Sequence, residues 1–224
     1  MLLAEERGLI AEHGRRMTAD RLVVGTSGNL SIRTGDLMAV TPTGHAYDTL
    51  TPELVCVHRL DGSAAEGELA PTSELPIHQL IYEHTDAAAV VHTHSTAAVV
   101  VSTVVDELPT IHYILAVMGG SIRVAPYARF GSEELAANVL AAIEDRSGVL
   151  LANHGAVTYG PTIQVAYDRA RYLEWVSEVW LRAHALAPPF TPRILDEADM
   201  AEVYAKIQGT YATTGRPGDA SAPP

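Results

Sequence analysis

The chain has one cysteine, Cys56, among 224 residues. A lone thiol permits no internal disulfide and no cysteine-rich zinc site, so any metal must be held by His, Asp or Glu. Cations are also scarce: 15 Lys and Arg against 27 Asp and Glu leave a formal charge of −12. That balance argues against a nucleic-acid partner, which is gripped through clustered Lys and Arg. A single phosphate can still be held by backbone amides, hydroxyls and a metal. No apolar run reaches the roughly 18 residues of a membrane span, so no membrane partner is expected. The first turn carries Glu5 and Glu6 where a signal peptide would be basic, and the expected location is cytoplasmic. The sequon Asn29-Leu30-Ser31 then has no meaning for glycosylation. Walker A and dinucleotide glycine loops are missing, and so is any internal repeat.

What is present suffices for a packed core: 47% of residues are apolar and 19% charged. The length suits one domain, expected over residues 1–212, with the Gly-, Ala-, Ser- and Pro-rich residues 213–224 as a flexible tail. Leu2, Leu3, Leu9, Ile10, Met17 and Leu22 recur at helical spacing. Short runs at 30–33 and 37–40, joined by Thr34-Gly35-Asp36, predict a hairpin, and 55–60 a further strand. A helix is expected to follow Ser73 as its N-cap and run to His84, with Pro76 in its first turn. Helices over 95–104 and 132–145 come next, the second begun by Ser132. Strands at 149–152 and 156–159, a long helix from Pro161 and a last one over 196–208 complete the pattern. The fold class is α/β, and the hairpin-like strands favour an antiparallel or mixed sheet over a doubly wound parallel one.

The chemistry concentrates at His92 and His94, inside the apolar run Ala-Ala-Ala-Val-Val-His-Thr-His at 87–94. Residues i and i+2 of a strand leave the same face about 6.5–7 Å apart, close enough to share one ion. Such a pair is satisfied either by hydrogen bonds within a core or by a divalent metal. His154, ahead of Gly155 in a connection between two apolar strands, offers a third imidazole. Glu74 offers a carboxylate, although an acid in a first helical turn also suits the helix dipole. Two turns, Gly25-Thr26-Ser27-Gly28-Asn29 and Thr41-Pro42-Thr43-Gly44, together with Thr72-Ser73, present amides and hydroxyls to an anion.

The order of these parts, Gly-Thr-Ser-Gly-Asn-Leu-Ser, Thr-Pro-Thr-Gly, Thr-Ser-Glu, Val-Val-His-Thr-His and Asn-His-Gly, resembles the class II aldolase/adducin family. Within it the chain is most similar to the L-fuculose-1-phosphate aldolases, over about residues 5–210. The resemblance implies a three-layer α/β/α sandwich around a central, largely antiparallel sheet, usually assembled as a homotetramer. It implies that Glu74, His92, His94 and His154 hold Zn²⁺, for which Mn²⁺, Co²⁺ and Fe²⁺ are also suited. Glu74 doubles as the acid/base, and Gly28, Asn29, Thr43, Gly44, Thr72 and Ser73 match the phosphate-binding groups. Tyr113 matches a tyrosine that reaches a neighbouring subunit's site. Phe130 and, at an offset register, Tyr211 match the wall on the aldehyde side.

The implied reaction is reversible cleavage of a ketose 1-phosphate, L-fuculose 1-phosphate or a 5-deoxy-pentulose 1-phosphate, to dihydroxyacetone phosphate and a small aldehyde. Related enzymes of the same build include pentulose-5-phosphate 4-epimerases, 3-oxo-tetronate 4-phosphate decarboxylases and methylthioribulose 1-phosphate dehydratases. The epimerases typically carry Asp where Glu74 stands, so Glu74 with Tyr113 favours cleavage. A non-enzymatic adducin-like interaction protein is disfavoured because all four ligand positions are filled.

Overall fold

The computed structural model describes residues 1–186 and 191–214, with residues 210–214 described by backbone alone. Helix α1 (Ala4–Ala19) leads into a hairpin of β1 (Asn29–Thr34) and β2 (Leu37–Val40). Strands β3 (Cys56–Arg59) and β4 (Ala64–Glu66) precede α2 (Leu75–His84), and β5 (Ala89–Thr93) precedes α3 (Thr96–Ser102). Next come β6 (Glu107–Leu108), β7 (Ile122–Ala125), α4 (Glu133–Ala142), β8 (Gly148–Leu151) and β9 (Gly155–Gly160). Helices α5 (Ile163–His184) and α6 (Glu197–Thr214) complete the chain's described part.

The strands form one nine-stranded sheet in the order β4-β3-β2-β1-β5-β9-β8-β7-β6. Every pairing is antiparallel except β7 with β8. Alternation along β5 shows how the layers form. Ala89 and Val91 pack into a core with Ile10 and Met17 of α1 and Ala166 and Ala170 of α5. Val90 points the other way, toward Ile77 and Ile81 of α2 and Leu135 and Val139 of α4. A third cluster extends the α5 side, joining Ala98 and Val101 of α3 to Leu173, Val176 and Leu150. The result is the expected α/β/α sandwich, with β5 central and covered on both faces, which is why it reads as an unbroken apolar run.

Strands β4, β6 and β7 were not expected from the sequence, and two expected features sit differently. Ser73 was expected to cap α2, yet the N-cap position belongs to Glu74 and no side chain caps it. Thr72 Oγ1 instead accepts from the Glu74 amide at 3.2 Å, one step before the helix. Of the tail expected over 213–224, residues 213 and 214 continue α6. Residues 215–224 of that tail lie outside the described residues. Among the described residues no helix is long and apolar enough to cross a membrane.

Candidate active site

The end of β5 supplies two of the side chains. His92 lies within the strand and is fully buried, and His94 follows its end, where the backbone amide donates to Leu22 O at 2.9 Å. The turn between β8 and β9 supplies the third. Asn153 takes a left-handed conformation at φ 57°, and at Gly155 a Cβ would lie 2.1 Å from the Thr93 carbonyl oxygen. Only glycine allows β9 to pass β5 this closely, and the passage sets His154 beside His94. The ring centroids of the three histidines lie 4.7–4.9 Å apart. Glu74, at the start of α2, closes the group from the opposite layer. Its Oε2 is 3.0 Å from His92 Nε2, and its Oε1 is 3.4 Å from His154 Nε2.

The donor set fits a divalent cation. One ligand atom from each of Glu74, His92, His94 and His154 lies within 4.8 Å of all the others. His92 donates from Nδ1 to Ala156 O at 2.9 Å, which turns its Nε2 lone pair inward, the support a metal-ligating imidazole ordinarily has. His92 Nε2 and His94 Nε2 then face each other at 2.9 Å, and Glu74 Oε1 is buried without a hydrogen-bond donor. A divalent cation satisfies converging acceptors of this kind, and in the metal-free protein a proton on His92 Nε2 donates to Glu74.

Electrostatics prepare the same ligands. Burial alone would raise the Glu74 carboxyl, but His92 overrides it, aided by His154 and the Asn29 amide, and holds it well below the usual carboxylate range. Burial, reinforced by His92, pushes His94 down to about 3 and His154 to about 4. Both therefore stay neutral, as a metal ligand must be.

An open cavity of about 320 Å³ reaches this cluster. Gly28, Asn29, Thr43, Gly44, Thr72, Ser73 and Phe130, all singled out from the sequence, line it. The Thr41-Pro42-Thr43-Gly44 turn is tied to the segment that carries Thr72 and Ser73. Thr72 N donates to Thr41 O at 2.9 Å and Thr43 N to Ala70 O at 3.0 Å. Gly28, at φ 74°, sits where a Cβ would meet His92 O at 2.7 Å, and its carbonyl accepts from the Tyr47 hydroxyl at 2.6 Å. Tyr113 does not line this cavity; it starts the 3-10 segment Tyr113–Met118 and is 52% exposed. Tyr211 falls on the α6 backbone, and its side chain lies outside the described residues.

Sequence reading missed the groups behind the cavity: Tyr47, His78 and Tyr82. Asn29 Nδ2 donates to Glu74 Oε2 at 3.0 Å, and its other end meets His78. The available signal was the i, i+4 placement of His78 and Tyr82 on the apolar face of α2, two polar tips where packing alone asks for none.

The relatives of this geometry are consistent with one another. A 5-deoxy-D-ribulose 1-phosphate aldolase of Bacillus thuringiensis serovar kurstaki is 36% identical over 212 residues, 93% of this chain and 98% of that protein. An L-fuculose phosphate aldolase of Escherichia coli K12 is 36% identical over 197 residues, covering 87% of this chain and 90% of that protein. A solved L-fuculose 1-phosphate aldolase superposes with a TM-score of 0.88 at 31% identity, over 93% of this chain and 98% of that one. The sequence profile of the Class II Aldolase and Adducin N-terminal domain matches residues 8–181, so the chain belongs to the class II aldolase and adducin family.

Proposed function

We propose that this chain is a metal-dependent aldolase that reversibly cleaves a ketose 1-phosphate to dihydroxyacetone phosphate and a small aldehyde. The observation that carries the reading is Glu74, which belongs to a four-ligand cluster and also lines an amide- and hydroxyl-rich cavity. The names of its relatives divide the sugar between 5-deoxyribulose 1-phosphate and L-fuculose phosphate. Both reactions share the dihydroxyacetone phosphate half, which is the half this cavity is built to hold.

Glu74, His92, His94 and His154 would hold the metal, with zinc the best match to three imidazoles and a carboxylate. When bound it would supply Lewis-acid stabilisation of the negative charge left on the donor half by carbon–carbon cleavage. Asn29, Thr43, Thr72 and Ser73, with the amides of Gly28 and Gly44, bind the phosphate and fix the donor carbon near Glu74. In the condensing direction the Glu74 carboxylate takes a proton from the donor carbon, the electron pair left there forms the bond to the aldehyde carbon, and the aldehyde oxygen takes up a proton; cleavage is the reverse. Tyr113 gives that proton from its hydroxyl, acting in the site of a neighbouring copy within a homotetramer, and proton exchange with solvent resets both groups. Phe130, which lines the cavity, walls the aldehyde side. Residues 1–212 act as one domain in the cytoplasm.

Metal-loaded protein incubated separately with 5-deoxy-D-ribulose 1-phosphate, L-fuculose 1-phosphate and L-ribulose 5-phosphate tests the reading through release of dihydroxyacetone phosphate. Chelator-sensitive release from either 1-phosphate, and none from the 5-phosphate, is the expected result. A folded, metal-bound protein releasing nothing from any of them would overturn it in favour of decarboxylation, dehydration or epimerisation.

A further inference from the structure

Glu74 as a metal ligand is a carboxylate, which can only accept hydrogen bonds, so the Asn29 atom facing its Oε2 at 3.0 Å is the amide nitrogen. That orientation turns the Asn29 carbonyl oxygen to His78 Nε2, 2.5 Å away, which therefore carries the ring proton. A ring donating at Nε2 accepts at Nδ1, where the Ser31 hydroxyl lies at 2.6 Å. With its proton given to His78, Ser31 accepts from the Tyr82 hydroxyl at 2.6 Å. Each donor in the series Tyr82, Ser31, His78, Asn29 is fixed by the one nearer Glu74.

The scaffold explains why these groups meet. Asn29 and Ser31 share one face of β1, two residues apart, and His78 and Tyr82 lie one turn apart on α2. All four, and Glu74, are buried. A buried polar series is costly unless every member is satisfied, and this one is complete.

We propose that His78 is a positioning residue: by donating to the Asn29 carbonyl, it sets the Asn29 amide nitrogen against Glu74 and toward the cavity. Without that donor the amide is free to turn its carbonyl oxygen toward Glu74 and toward a bound phosphate, where it repels both. The inference rests on the reading of the cavity as a site for a phosphorylated donor and adds a residue to it.

Two substitutions separate the two ring nitrogens. His78→Gln places an amide nitrogen near the Nε2 position, keeping the donor to Asn29. His78→Asn reaches only the Nδ1 position, keeping Ser31 and losing Asn29. Both are read in metal-loaded protein by metal content, calorimetric binding of dihydroxyacetone phosphate, and crystal structures showing the Asn29 side chain. With metal content unchanged, His78→Asn is expected to bind about tenfold more weakly than wild type, the size of one hydrogen bond to a charged group, and His78→Gln within about threefold. Equal affinities for the two variants, or wild-type affinity in His78→Asn, would overturn the assignment. If the unsubstituted protein binds no dihydroxyacetone phosphate, the donor reading fails, and the Asn29 position decides the inference alone. Separation of Asn29 from Glu74 in His78→Asn but not in His78→Gln then upholds it, and an unmoved Asn29 in His78→Asn rejects it.

Discussion

Gly155 passes so near Thr93 that a Cβ there would sit 2.1 Å from the Thr93 carbonyl oxygen. That contact is a backbone one, so no side chain can yield to relieve it, and β9 must move if residue 155 gains a methyl group. Gly155→Ala is therefore expected to cost about 2 kcal/mol or more of stability, in the range of overpacked sites. It should also displace His154, the adjacent residue. Chemical denaturation and metal analysis check the two effects together. Wild-type metal content in a destabilised Gly155→Ala would break the link between the strand crossing and the ligand set.

Glu74→Gln isolates the carboxylate. Glutamine keeps the size of the side chain and can still occupy the space beside His92 and Asn29, so the fold should survive. Turnover is expected to fall by about a thousandfold, within the range for removal of a general acid or base. Circular dichroism and steady-state rates provide the check. Residual activity within about tenfold of wild type would move the proton transfer to another group.

How much of this was readable from the sequence depends on whether a residue's chemistry follows from its own spacing. His92 and His94 were readable because the strand period of two puts both beside the same point, and His154 because it precedes a glycine between two strands. The polar series behind them was not. His78 and Tyr82 on a helix face have ordinary explanations until α2 is seen docked on β1, and nothing local names Ser31 and Asn29 as their partners. Strand β7 was also missed. Its Ile122-Arg123-Val124-Ala125 carries a charge mid-strand, which is tolerated because Arg123 leaves the sheet to donate to the Ala142 and Glu144 carbonyls at 3.1 and 2.6 Å. The Ser73 cap failed for a related reason: the chain enters α2 one residue later, with Glu74 at the cap position and Ser73 facing the cavity.

Acid should destabilise the metal-free protein. Burial holds His78 down to about 3, as it does His94 to about 3 and His154 to about 4, against about 6.5 in an unfolded chain. Between those values the unfolded chain binds more protons, so the stability these groups contribute is present above pH about 6.5 and lost as pH falls. Glu74, held low, acts in the same direction below its ordinary range. His92 opposes them: burial lowers it, but Glu74 outweighs burial and raises it, so its contribution is lost as pH rises. Three histidines against one give a net loss on acidification. Melting temperatures of chelated and metal-loaded protein from pH 7 to 5 test this. The chelated protein should fall steadily, and the gap between the two should close as protons displace the metal. A chelated protein that gains stability on acidification would contradict the burial argument.

Glu174 of α5 accepts from both the Ala97 and Ala98 amides at 2.9 Å, so a carboxylate from another helix caps α3. Because α3 follows directly on His94, this cap also fixes where β5 ends. Glu174→Ala removes the acceptor for two amides and is expected to cost about 2 kcal/mol, a charged cap being worth more than a neutral one. Denaturant titration measures it, and a change below about 0.5 kcal/mol would mean that water caps the helix as well.

Tyr113 poses a question of reach. It is 52% exposed, packs against His112 at a centroid distance of 4.4 Å, and does not line the cavity that holds Glu74. A residue that transfers a proton in a cavity it does not line must do so in another copy of the chain. Tyr113→Phe should then lower turnover by about a hundredfold, as for loss of a proton donor, while leaving metal content unchanged. Complementation is the sharper test. If Tyr113 and Glu74 of one site come from different chains, co-expressed Tyr113→Phe and Glu74→Gln protomers form some sites carrying neither substitution. For random assembly in a closed ring, half the sites have an intact Glu74 and half of those an intact neighbouring Tyr113, so about a quarter of wild-type activity should return. Activity equal only to the sum of the two parents would mean that Tyr113 and Glu74 of one site do not come from different chains, and an unchanged rate in Tyr113→Phe would place the tyrosine outside the reaction.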